Sequence, residues 1–155
     1  MTYTTFNRRH LLHAILPMAA WRFAGPSFAS TAPVVVAYRN PGCGCCEKWT
    51  EHMKAAGFEI TMQDDSDLAA RKTKLGVPEQ LAGCHTALSG PYVFEGHVPP
   101  EDIIRFLNET PASLGLAVPG MPVGSPGMEM GDSKEAYDVL MFTRDGAITT
   151  YAKHS

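Results

Sequence analysis

The 155-residue chain has little charge, no excess of basic residues and no long apolar run. Charged side chains make up 19% of it, against about 25% in an ordinary soluble protein. Lys and Arg number 13 against 16 Asp and Glu, a formal net charge of −3. A nucleic-acid binder would show a basic face, and this balance offers none. No stretch approaches the ~20 consecutive apolar residues of a membrane-spanning helix. No segment repeats, which removes solenoids and propellers. Cysteine is scarce as well: there are four, and three of them stand in Cys43-Gly44-Cys45-Cys46. Four dispersed cysteines in an exported chain would read as two structural disulfides. Neighbours this close bridge poorly to one another, because a disulfide demands a particular Cα separation and dihedral. A pure disulfide staple is therefore not the expected role. What is present is 45% hydrophobic residues, enough for one soluble domain with a core.

Residues 1–29 read as an export signal. Arg8-Arg9 precede a short apolar run, and Ser27-Phe28-Ala29 places small residues at −3 and −1 of a cleavage site. The order Arg8-Arg9-x-Leu11-Leu12 is similar to a twin-arginine signal. The plainer reading is an amphipathic helix lying on a membrane, or an uncleaved anchor. With export the expected location is the periplasm, and residues 30–155 form the working domain with no membrane span. Removing Arg8, Arg9 and Arg22 leaves ten basic against sixteen acidic side chains, a net of −6. Such a surface suits a protein that handles cations, though most surface charge serves solubility.

From Pro33 to Tyr38 a β-branched run predicts a buried strand, ended by Asn40-Pro41-Gly42. Cys45 to Ala56 changes to helical spacing, with Trp49, Met53 and Ala56 as an apolar stripe and Gly57 as the stop. Phe58–Gln63 alternates as a second strand, and Asp64–Lys74 reads as a second helix stopped by Gly76. One helical turn is expected near Val77–Leu81. Cys84–Leu88 and Tyr92–Glu95 around Ser89-Gly90-Pro91 predict an antiparallel hairpin. Pro99-Pro100-Glu101-Asp102 starts a helix to about Asn108, with Ile103, Ile104, Phe106 and Leu107 inward. The Gly/Pro/Met-rich segment Val118–Gly131 has no periodicity. Tyr137–Phe142 and Ala147–Tyr151 around Asp145-Gly146 predict a closing hairpin. The expected fold is α/β: a thioredoxin-like mixed sheet with flanking helices, then a Met/Gly/Pro-rich loop and a β-hairpin.

The cysteine cluster carries the chemistry. Free N–H groups and the dipole at a helix start favour thiolate, which is both nucleophile and metal ligand. Cys43 and Cys46 have the Cys-x-x-Cys spacing of a thioredoxin-type redox pair, and strand, Cys-rich turn, helix is that site's layout. A two-electron pair has no need of the third thiol, Cys45. Clustered thiolates attract soft cations: Cu(I), or Zn(II) with a fourth ligand. In a thioredoxin-like domain the residues entering the third strand lie against this turn, so Cys84 and His85 are candidates to join it. The plainer reading makes Cys84 a small core residue and His85 a solvated one. Met121, Met128 and Met130 are soft thioethers in a loop with no evident packing role, and so candidate ligands or pocket lining. His97 reads first as a solvent or capping residue and second as a ligand. His52 and His154 read as solvated.

With these residues in view, the chain resembles the CopG-like copper-resistance family of proteobacterial envelopes. The resemblance lies in Pro41-Gly-Cys43-Gly-Cys45-Cys46-x-x-Trp49, Leu75-Gly-Val-Pro78, Cys84-His-Thr-Ala87, Gly96-His-Val-Pro99, Gly115-Leu-Ala-Val-Pro-Gly-Met-Pro122, Gly124-Ser-Pro-Gly-Met-Glu129 and Tyr137-Asp-Val139. It spans nearly all of residues 34–154. It implies a thioredoxin-like fold, an envelope location, and copper handling with Cys43, Cys45, Cys46 and Cys84 as ligands. The leading expectation is a periplasmic protein of copper resistance or homeostasis. It would hold Cu(I), as one ion or a small polynuclear cluster, in a Cys-x-Cys-Cys plus Cys84-His85 site. The expected partners are metal ions and other envelope copper-handling proteins. The alternative is a thiol oxidoreductase in which Cys43 attacks and Cys46 resolves, coupled or not to copper. A closed four-cysteine Zn(II) module is a third reading.

Overall fold

In the computed structural model, which describes residues 1–2 and 32–155, Val34–Arg39 forms the first strand (β1). The turn at Asn40–Cys43 leads into helix α1, Gly44–Ala55. The chain returns as β2, Glu59–Asp64, parallel to β1. Asp67 then caps α2, Leu68–Leu75, by accepting the Ala70 N–H, and Gly76 closes that helix in the left-handed region. A single 3-10 turn, Glu79–Leu81, precedes an antiparallel hairpin of β3, His85–Ser89, and β4, Tyr92–Glu95. Helix α3, Pro100–Glu109, begins on proline with Glu101 and Asp102 in its first turn, where acids offset the positive end of the helix. Three more strands follow: β5, Gly115–Ala117, β6, Tyr137–Phe142, and β7, Ile148–His154. The expected signal peptide falls outside the described residues, apart from Met1 and Thr2. Among the described residues no helix is long and apolar enough to cross a membrane.

The strands make one mixed sheet in the order β2-β1-β3-β4-β5-β6-β7. With its helices this is the α/β arrangement expected of a thioredoxin-like domain. Adjacent strand residues point to opposite faces, and the core divides accordingly. Phe94 and Leu116 join Trp49, Met53, Ile103 and Phe106 in one cluster, while their neighbours Val93 and Ala117 join Val77, Leu81, Leu114 and Phe142 in the other. The apolar stripes of α1 and α3 therefore cover one face of the sheet.

Three details depart from the sequence reading. Ala56 is exposed, lying past the end of α1, and the inward face of that helix is Cys46, Trp49, Thr50 and Met53. Ile104 is 37% exposed, because α3 turns its stripe through Ile103 and Phe106. Strand β5 was not expected. A glycine inside a strand weakens it and reads as loop, yet here the close approach of two backbones requires it. A Cβ on Gly115 would stand 1.6 Å from the Val93 carbonyl oxygen.

Candidate metal and thiol centre

Cys43 stands at the N-cap of α1, and Cys45 and Cys46 lie in its first turn. Arg39, at the end of β1, holds this turn by donating to the Cys43 carbonyl at 3.1 Å and pairing with Glu47 at 2.8 Å. Cys43 and Cys46 are joined by a disulfide, and Cys45 and Cys84 are free. The close-thiol argument against bridging applies to Cys45 and its neighbours. The three-residue separation of Cys43 and Cys46 in a helical turn brings their Cα atoms to 5.5 Å, within bridging range.

Cys84 arrives from the residue before β3, as the topology predicts. Its Sγ is 3.7 Å from Cys45 Sγ and 3.6 Å from Cys46 Sγ, and Cys43 Sγ is 3.5 Å from Cys45 Sγ. All four sulfurs lie within 4.8 Å of one another. A pair of glycines permits this convergence. A Cβ on Gly83 would meet Gly96 Cα at 2.6 Å, so only bare backbone lets the loop carrying Cys84 press against the one carrying His97.

His85 and His97 form the inner wall. Both are fully buried. His97 Nε2 lies 2.9 Å from Cys84 Sγ, and His97 Nδ1 lies 2.8 Å from the Pro126 carbonyl oxygen. A carbonyl only accepts, so Nδ1 carries the proton, and Nε2 of the neutral ring accepts from the Cys84 thiol. His85 Nδ1 is 3.4 Å from Cys84 Sγ, while its Nε2 is buried with no partner. The His85 ring packs against Trp49 at 4.3 Å and edge-on to His97 at 5.1 Å. Burial holds His85 well below the usual histidine range, and the neighbouring His97 and Lys72 add to this. Burial also lowers His97, against the Pro126 carbonyl, which raises it. The Cys84 thiol is pushed up to about 12, first by burial and then by Cys45.

Just behind Cys84, Glu95 is fully buried and fully paired. It accepts from the Gly83 N–H at 2.7 Å and the Thr86 hydroxyl at 2.6 Å, and it forms an ion pair with Lys72. This network anchors the backbone on either side of Cys84. It was not anticipated, because a glutamate at the end of a strand reads as exposed.

Met121 and Met130 are 53% and 64% exposed. Met128 and Met130, with Gly44, Cys45, Glu47 and Lys48, line a groove of about 560 Å³ that opens on Cys45. A cavity of about 680 Å³ between Tyr92, Pro111 and Arg144 contains none of the chemistry-bearing residues. His52 is exposed but pairs with Glu129 at 2.7 Å, and His154 pairs with Asp102 at 2.7 Å, so neither is simply solvated. His97, read first as a solvent or capping residue, is instead buried against Cys84. Its only signal was its place in Gly96-His97-Val98-Pro99.

A family model described as protein of unknown function, DUF411, matches residues 81–128, the span holding Cys84, His85, His97, Met121 and Met128. Two solved structures are similar over most of the chain. Copper resistance protein CopG in its form 2 is 43% identical at a TM-score of 0.77, covering 80% of this chain and 99% of that one. Its form 1 is 44% identical at 0.76, covering 79% and 98%. No curated protein matches the chain.

Proposed function

This chain belongs to the CopG copper-resistance family, and from that premise we propose that it is an exported, periplasmic protein that binds Cu(I) as its cargo. Cys43, Cys45, Cys46 and Cys84 supply the thiolates, and His85 supplies a nitrogen from within. The observation that carries this reading is the convergence of four sulfurs within 4.8 Å. Thiolates are soft ligands that favour Cu(I), and each can bridge two ions, so few ligands hold several. The unpartnered Nε2 of His85 supports a buried nitrogen donor, since an orphan polar atom in a core otherwise carries a penalty. His97, Met121, Met128 and Met130 are outer contributors. The Gly/Pro loop brings two of the thioethers to the groove at Cys45.

The disulfide sets a condition on this function. With Cys43 and Cys46 bonded to each other, only Cys45 and Cys84 can become thiolates. Two electrons must arrive before the four-sulfur clamp exists, and copper affinity is thereby tied to the thiol state. An oxidising envelope is where such a bond persists. Anaerobic Cu(I) titration of the fully reduced protein tests the reading. Tight binding is expected, with a lower stoichiometry in Cys45→Ser and in Cys84→Ser and much weaker binding in the oxidised protein. Absence of tight binding, or binding unchanged by Cys45→Ser, rejects it.

One observation favours the second reading, a thiol oxidoreductase: the bonded pair is Cys43 and Cys46, the two with redox spacing. In that role Cys43→Ser abolishes exchange with a dithiol substrate, whereas Cys45→Ser leaves it. Absence of exchange with any standard dithiol rejects it.

A further inference from the structure

We propose that His52 and Glu129 are positioning residues: their contact latches the loop between β5 and β6 onto α1 and sets the width of the groove that leads to Cys45. Neither residue belongs to the proposed metal centre. The groove of about 560 Å³ has two walls. Helix α1 forms one, with Cys45, and the loop forms the other, with Met128 and Met130. His52 Nε2 meets Glu129 Oε1 at 2.7 Å and joins the two walls. The same carboxylate oxygen accepts the Gly127 N–H at 2.9 Å, so the junction grips the loop backbone as well as one side chain.

Little else holds the outer side of this loop. Residues 119–136 contain no helix or strand. Their backbone bonds, such as the Gly124 N–H to the Met128 carbonyl at 3.0 Å and the Met128 N–H to the Ser125 carbonyl at 2.8 Å, run within the loop. Among the described residues two polar contacts tie it to the rest of the domain. One lies inside, where the Pro126 carbonyl accepts from the fully buried His97. Close packing reinforces it: a Cβ on Gly127 would stand 2.7 Å from the Trp49 backbone nitrogen and 2.8 Å from the Cys45 carbonyl oxygen. The other is the His52–Glu129 contact, in which both side chains are 45% exposed. An exposed pair shifts an equilibrium only about two- to fivefold, and segments of low local stability are the ones that open. The part free to lift is therefore the stretch after Gly127, which carries Met128 and Met130.

The latch controls access. A reagent too large for the groove reaches Cys45 only when the loop lifts, whereas a small one does not wait for it. The same holds for Cu(I) brought or removed by a bulky chelator, a consequence that rests on the Cu(I) reading. Opening then precedes both loading and removal. Loosening the latch raises the two rates together and leaves the affinity unchanged, because an equilibrium that precedes both directions cancels between them.

The test uses the metal-free full chain with Cys43 and Cys46 bonded, in which Cys45 and Cys84 are the free thiols. Cys45 is labelled at pH 7.5 with N-ethylmaleimide or with a maleimide bearing a long polyethylene glycol chain, and both rates are read by peptide mass spectrometry. The two reagents need the same thiolate, so their rate ratio cancels any change in Cys45 ionisation. His52→Ala and Glu129→Ala are each expected to raise the bulky-to-small ratio about two- to fivefold. The double variant should match Glu129→Ala, because one contact is lost only once. His52→Gln, whose amide nitrogen can donate to Glu129 from the same place, should restore the wild-type ratio. An unchanged ratio in both alanine variants overturns the proposal. So does a further rise in the double variant, or a failure of His52→Gln to restore the ratio. In the reduced protein, His52→Ala should speed Cu(I) uptake from a bulky chelator and loss to it by the same factor. A fall in affinity instead would make the pair part of the metal shell and overturn the gating role. The maleimide ratio needs no copper, so the latch and the Cu(I) reading can each fail alone.

Discussion

Glu95 and His85 are both fully buried polar side chains on neighbouring strands, β4 and β3, and their surroundings differ in kind. Glu95 has every demand met, by Lys72, Thr86 and the Gly83 N–H. His85 keeps one nitrogen without any partner, beside a thiol raised by burial and a second histidine held neutral. A satisfied network fixes one arrangement of the backbone. An unsatisfied one retains capacity to take a proton or a metal, and retaining it costs stability. The comparison separates a satisfied cluster that positions Cys84 from an unsatisfied one packed against its thiol.

The largest expected effect tests the first half. Glu95→Ala leaves Lys72, only 12% exposed, without its counter-charge, and leaves the Gly83 N–H without an acceptor. Breaking a buried pair from one side typically costs about 3–5 kcal/mol. Urea unfolding of the metal-free protein should show a loss of that order. A loss below about 1 kcal/mol would mean that Glu95 is an ordinary solvated glutamate and that the contrast with His85 is empty.

The second expectation concerns pH. His85 and His97 both have folded pKa values below the unfolded value near 6.5. Below that pH the unfolded chain binds more protons than the folded one, so stability is present above about pH 6.5 and is lost as pH falls toward the folded values. Each histidine contributes a slope of up to about 1.4 kcal/mol per pH unit in that window. Urea midpoints of the metal-free protein between pH 7.5 and 5 should fall, and His85→Phe should flatten the decline. An unchanged slope would show that His85 is not held neutral by its surroundings.

The two clusters were unequally visible in the sequence. Strand, cysteine turn and helix could be read directly, because β-branched runs, Gly42 and the Trp49–Met53 spacing are local signals. The arrival of Cys84 and His85 at the cysteines followed from topology, once β3 was recognised. The Glu95 network could not be read, since it depends on Lys72 from α2 and Gly83 from a loop meeting a strand end across 23 and 12 residues. Nothing in Tyr92–Glu95 marks one glutamate as buried. His97 was hidden in the same way, its ring held by the Pro126 carbonyl 29 residues later. The bond between Cys43 and Cys46 was visible as spacing but not as a state, because spacing is equally consistent with two thiolates on a metal.

A smaller effect sharpens the satisfied side. Thr86→Val keeps the shape of the strand and removes the hydroxyl that donates to Glu95 at 2.6 Å and accepts from Lys72 at 3.0 Å. Glu95 keeps the Gly83 N–H and Lys72, so one oxygen is left short of a donor. The expected loss is about 1–2 kcal/mol in urea unfolding, well below that of Glu95→Ala. If the two substitutions cost the same, the carboxylate acts chiefly through Thr86 and the ion pair with Lys72 adds nothing.

The smallest expected effect is the most telling. His85 is surrounded by Trp49 at 4.3 Å, His97 at 5.1 Å and the Cys84 sulfur, and its Nε2 is buried without a partner. Phenylalanine has a ring of similar size and no polar atom to strand. Replacing a buried polar group whose bonds are unmet with an apolar one of like shape is nearly neutral or stabilising. His85→Phe should therefore change unfolding stability at pH 7.5 by no more than about 1 kcal/mol. It should nonetheless lower the affinity of the reduced protein for Cu(I), read by competition with a chromophoric chelator. A neutral fold with weakened metal affinity assigns the nitrogen to chemistry. A destabilisation matching that of Glu95→Ala would instead make His85 a packing residue, and the two clusters would be built on the same principle.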